Sequence, residues 1–143
     1  MDQDTISLLG DCTAGIDMAI STMDGVLPSV KDQTLRKKIQ ESVKSHQALR
    51  RQTVDCLHRH GAEEKGSNPM AKGMSWLKTN TKLAFGGDDT TVADLVATGC
   101  DMGVRSLCRS RNRYAGAEEE AKFLTEQLID CEETLSASLR PFL

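Results

Sequence analysis

Aromatic side chains are almost missing from this sequence: they make up 3% of 143 residues, as three Phe, one Trp and one Tyr. A core must then be assembled from Leu, Ile, Val, Met, Ala and Cys, which suits helix–helix packing better than a β-sandwich. No apolar run approaches transmembrane length, so no membrane span is expected. The opening Met1-Asp2-Gln3-Asp4 lacks the basic start and apolar stretch of a signal peptide. Net positive charge is lacking too. At −3, no global field draws in phosphate, which weighs against a dedicated nucleic-acid binder. The five cysteines (Cys12, Cys56, Cys100, Cys108, Cys131) include no C-x-x-C pair. Odd in number and scattered, they read as reduced, small core residues in a cytoplasmic protein, with no disulfide. Nucleophile-elbow, P-loop and Rossmann glycine patterns are all absent, which removes the enzyme classes they mark.

What the sequence does contain is a repetition. Ala14-Gly15-Ile16-Asp17-Met18 returns as Thr98-Gly99-Cys100-Asp101-Met102, an offset of 84 from residue 17 to residue 101. The offset also maps the stripe Leu9, Cys12, Ile16, Ala19, Met23, Val26 onto Ala93, Val96, Cys100, Gly103, Leu107, Ser110. Steps of three and four mark one face of a helix, and two helices so related imply a duplicated helix pair. The repetition of Gly15 and Gly99 hints at close helix approach.

A second pair of stripes completes the hairpins. One runs Leu35, Ile39, Ser42, His46, Leu49, Thr53, Cys56, and the other Ala117, Ala121, Leu124, Leu128, Cys131, Leu135, Leu139, Phe142. Pro28 ends the first helix, Asp32 is placed to cap the second, and Gly61 to stop it. Thr91 and Asp94 are spaced as a capping box for the third helix, and Glu118, Glu119 and Glu120 suit the first turn of the fourth. Between the hairpins, Met70, Met74, Leu77, Thr81 and Ala84 predict a short amphipathic helix containing Trp76, within a crossover connection. The predicted fold is all-α: one domain over residues 1–143, an up-down four-helix bundle with a long crossover containing a short helix. The helices are expected at about 4–27, 32–60, 70–84, 90–114 and 117–140.

This layout resembles the ferritin-like four-helix fold. Gly73-Met74-Ser75-Trp76-Leu77-Lys78, Gly87-Asp88-Asp89 and Gly99-Cys100-Asp101 further resemble a bacterial ferritin-like family of unknown function. Its members tend to show a Trp in the crossover helix, a Gly-Asp-Asp turn and Gly-Glu-Asp in helix three. Di-iron proteins of the fold place a Glu on each of two helices and a Glu-x-x-His pair on each of the others. The resemblance then implies ligand positions at Ile16, at Cys100, at Val43 with His46, and at Glu132 with Leu135. Only His46 and Glu132 retain a family ligand type. Ile16, Val43 and Leu135 have lost theirs, so the resemblance implies a degenerate di-iron site.

His46 lies mid-stripe, level with Ile16, Cys100 and Glu132. Two readings follow: a single-metal site of His46, Glu132 and Cys100, or a buried His hydrogen-bonded to Glu132 that fixes helix register. The hydrogen bond is favoured, with no resident cofactor. Cys56-Leu57-His58-Arg59-His60 has metal-binding residue types, but His58 and His60 face different directions and serve the helix C-terminus better. Arg105, Arg109 and Arg113 share one face without interleaved aromatics, so a solvated face or a subunit contact is preferred to nucleic-acid binding. Asp101 is expected to pair with Arg105. Three functions compete. The favoured one is a non-catalytic bundle, not an enzyme, acting as an interaction or stress-related protein through partners or self-association on its helix faces. The others are an iron-handling or oxidoreductase protein with an altered metal site, and a nucleic-acid-associated bundle using the arginine face.

Overall fold

The computed structural model describes residues 3–62 and 88–143, and these hold no strand. The helix expected at 70–84, with Trp76, lies outside the described residues. Four long helices carry the described chain: α1 Gln3–Val26, α2 Gln33–Arg59, α3 Asp89–Arg113 and α4 Glu119–Leu139. Leu27–Ser29 and Arg140–Phe142 form short 3-10 turns, each with a proline in its first positions, where a missing N–H costs nothing.

Side-chain pairs give the directions. Arg50 on Asp17 sets α2 antiparallel to α1, and His46 on Glu132 with His60 on Glu118 sets α4 antiparallel to α2. Arg111 on Glu126 sets α3 antiparallel to α4. The helices therefore run up, down, down, up, and α3 begins at the opposite end from the close of α2. Each stripe read from the sequence faces inward. Leu9, Cys12, Ile16, Leu35, Ile39, Ala93, Val96, Ala121, Leu128 and Leu139 are all buried.

The ends are tied in matching ways. Asp88 caps α3 by accepting from Thr91 N at 3.0 Å. This corrects the expected Thr91–Asp94 capping box: Thr91 supplies an N–H that needs capping, and the carboxylate three residues upstream meets it. Asp89 reaches the α1–α2 turn, accepting from Lys31 N at 2.9 Å and Asp32 N at 2.8 Å. At the other end Asp4 accepts from Gly116 N at 3.0 Å and Thr5 Oγ1 from Glu118 N at 2.8 Å, in the α3–α4 turn. So the start of each hairpin grips the turn of the other, as a duplicated pair packed about a pseudo-twofold axis would. Gly116 lets the Asp4 carboxylate come this close: a Cβ there would meet Asp4 Oδ2 at 2.8 Å and the carboxylate would have to shift. Asp32 caps α2 through Leu35 N at 2.9 Å, and Gly61 ends it with φ of 73°, a conformation open to glycine.

Candidate functional site

Buried apolar side chains form two clusters. One gathers Ile39, Val43, Ala93, Val96, Cys100 and Leu135, and the other Leu9, Cys12, Ile16, Cys56, Leu124 and Leu128. The boundary falls between Val43 and Leu49 on α2, and between Ile129 and Leu135 on α4. His46 and Glu132 occupy that waist. The residues expected in one layer thus divide: Ile16 packs in one half, Val43, Cys100 and Leu135 in the other, with the polar pair between.

His46 is fully buried and Glu132 is 5% exposed. Nε2 of His46 is hydrogen-bonded to Oε1 of Glu132. Nδ1 lies 2.8 Å from the carbonyl oxygen of Ser42, with Ser42 Oγ at 3.3 Å and Cys131 Sγ at 3.6 Å. A carbonyl only accepts, so Nδ1 carries a proton and donates it. The proton between Nε2 and Oε1 then decides the charge state. Burial alone pushes the imidazole pKa down. The hydrogen bonds to Cys131 and Glu132, joined by the carboxylate charge, outweigh it and lift the pKa to about 10. At neutral pH the ring is an imidazolium with both nitrogens donating, and the pair as a whole is neutral. Each partner cancels a charge that would be expensive to bury alone.

This has a direct chemical consequence. A metal binds the lone pair of a neutral imidazole nitrogen, and here both nitrogens hold protons aimed at acceptors. Among the described residues, no three His, Cys, Asp or Glu side chains are grouped to hold a metal ion. Burial holds the Cys100 thiol well above its usual range, and the Glu132 charge adds to the shift, so it stays protonated beside the carboxylate.

The same donor pattern recurs at the bundle end. His60 Nδ1 donates to Cys56 O at 2.9 Å and Nε2 meets Glu118 Oε2 at 2.8 Å, which raises the His60 pKa through the Cys56 carbonyl first and Glu118 second. Beside it Arg59 binds Glu120 through both carboxylate oxygens at 2.9 and 2.6 Å. Sequence reasoning placed His60 at the helix terminus but missed its partner. The available signal was register: residues 46 and 60 are 14 apart on α2, as are 118 and 132 on α4.

Other expectations change on the structure. Asp101 accepts from Ser136 Oγ at 3.4 Å across the second hairpin and makes no ion pair with Arg105. Arg105, Arg109 and Arg113 are exposed, Arg113 lying over the Tyr114 ring at 5.6 Å. Gly15 marks no close approach among the described helices: no described residue lies within 4 Å of a Cβ built on it. It lines a cavity of about 440 Å³ between α1 and α3, which Gly99, Gly103, Cys100 and Glu132 also line. Oε2 of Glu132 would sit 3.6 Å from a Cβ on Gly103. No described helix is long and apolar enough to cross a membrane.

No family model, curated protein or solved structure matches this chain.

Proposed function

We propose that this protein is a non-catalytic bundle of ferritin-like build, acting by binding rather than by turnover. In it a His–Glu ion pair stands where relatives of that fold hold metal. The up, down, down, up order, with one long connection between the parallel helices α2 and α3, is the arrangement used by ferritin-like proteins, and it supports the fold reading. The observation that carries the functional reading is the double commitment of His46, whose two ring nitrogens both face acceptors. A centre of this kind fixes helix register and offers no open coordination position for chemistry.

Free cysteines at all five positions fit a reducing compartment, and we assign the protein to the cytoplasm. Its binding role falls to the surface and to the space between helices. Phe123 on α4, 59% exposed, Leu143, 58% exposed, and Met102 on α3, 51% exposed, are among the described residues the large apolar side chains available for a protein partner or a second copy.

The test is elemental analysis of protein purified without chelator, together with an iron-oxidation assay. Metal well below one ion per chain and no iron oxidation are expected. Two ions per chain would overturn the reading. One ion, lost on Glu132→Gln, would favour the single-metal alternative, with Cys100→Ser showing whether the thiol is a ligand.

A further inference from the structure

The cavity between α1 and α3 has three properties that together describe a ligand. The first is size. At about 440 Å³ it falls within the ~300–1,000 Å³ range of small-molecule sites, and its walls are mainly apolar. Met18, Met23 and Met102, every methionine among the described residues, line it. Methionine walls adapt to shape and contact aromatic rings favourably through sulfur.

The second property is charge. Among the described residues the lining includes Asp11 and Glu132 but no lysine, arginine or histidine. Asp11 accepts from Ser110 Oγ at 2.7 Å, while Glu132 gives Oε1 to His46 and leaves Oε2 on the cavity side, facing Gly103. The imidazolium behind Glu132 balances that carboxylate, so the walls retain one net negative charge, from Asp11. An anion finds no positively charged partner among the described lining residues. A monocation finds acidic ones, and its N–H groups meet a nearly buried acceptor at the floor.

The third property is the space itself. A glycine inside a helix weakens it relative to alanine, and Gly15 and Gly103 both bear that cost. Packing among the described residues does not require either: there a Cβ at Gly15 meets nothing within 4 Å, and one at Gly103 meets only Glu132, at ordinary contact distance. Side chains at these positions would fill the cavity without disturbing the neighbouring helices.

We infer that this cavity binds a small organic monocation, a primary amine on an apolar or aromatic body, with the amine at Glu132 and the body against the methionines. The inference rests on the reading of Glu132 as free of metal, and it names the ligand class that the bundle would take.

The experiment is an NMR titration of the full chain, labelled with 13C at the methionine methyls, on a sample whose metal content is measured first. The probes are 2-phenylethylamine, 2-phenylethanol and 3-phenylpropanoate. Saturable shifts of Met18, Met23 and Met102 are expected with the amine, roughly tenfold or more tighter than with the alcohol, because the ammonium adds its own charge to the hydrogen bond with the acidic walls. The carboxylate should produce none. Gly15→Leu, melting no lower than the parent protein, should weaken the amine at least roughly tenfold by filling the cavity. Glu132→Gln should reduce the preference for amine over alcohol, leaving only what Asp11 supplies. Equal affinity for amine and alcohol, a tighter carboxylate, undiminished amine binding by Gly15→Leu, an amine preference unchanged by Glu132→Gln, or no saturable shift would each overturn the inference. Failure in a metal-free sample counts against this site alone, whereas stoichiometric metal counts against the functional reading.

Discussion

Replacing Glu132 by leucine removes one half of the polar pair at the waist of the bundle and leaves the other half fully enclosed. His46 has no solvent exposure, so water cannot take the place of the lost acceptor. The side chain can relieve its charge, however. Without the carboxylate, burial again dominates and the ring gives up the Nε2 proton at neutral pH. What remains is a neutral ring with one nitrogen lacking a partner, while Nδ1 keeps its bond to Ser42 O. The expected loss is then about 1–3 kcal/mol, below the ~3–5 kcal/mol of a stranded buried charge. Glu132→Gln should be milder, under ~1 kcal/mol, because an amide can donate to the freed Nε2. Replacing both residues by leucine should recover most of the single loss, since an apolar pair of similar volume leaves nothing unsatisfied. The assay is urea unfolding followed by far-UV circular dichroism, read as a double-mutant cycle. An unaltered Glu132→Leu variant, or strictly additive effects, would refute the pairing argument.

Three further outcomes follow. The His46 proton is held more tightly in the folded chain than in the unfolded one. Its contribution should therefore be complete below pH of about 6.5 and decline as pH rises towards about 10, measured as the stability difference between the parent protein and Glu132→Gln. Asp89→Ala removes the acceptor of two turn N–H groups and should cost about 1–3 kcal/mol in urea unfolding, whereas Asp88→Ala, a lost cap, should cost about 1 kcal/mol. Denatured, unreduced protein should show all five thiols, while in the native state Cys12 and Cys56, both raised by burial to about 11, and the buried Cys100 should resist iodoacetamide at mildly alkaline pH.

The helices were legible because their signals are local. Stripes at three and four residues, Pro28 after α1, the Asp32 cap and Gly61 at the end of α2 each act within one or two turns of chain. The start of α3 was misjudged at the same scale: Thr91–Asp94 has the spacing of a capping box, yet Asp88 was already available three residues upstream. Contacts between helices were harder. Asp89 on the α1–α2 turn and His60 on Glu118 depend on how two hairpins dock, which no single stripe encodes. Gly15 and Gly99 repeat in sequence whether they bring helices together or hold them apart, and for Gly15 only the packed structure distinguishes the two. His46 stood out as a lone imidazole in an apolar stripe. Its second acceptor, the Ser42 carbonyl one turn back, was legible only from the ring orientation.

That orientation is also the most direct test of the account. Nitrogen-15 NMR of histidine-labelled protein at mildly alkaline pH reads the protonation of each ring nitrogen separately. The structure predicts that His46 remains an imidazolium there, with both Nδ1 and Nε2 bearing protons. A His46 ring with an unprotonated Nε2, whether bare or bound to a metal, would contradict the claim that an ion pair closes the centre of this bundle.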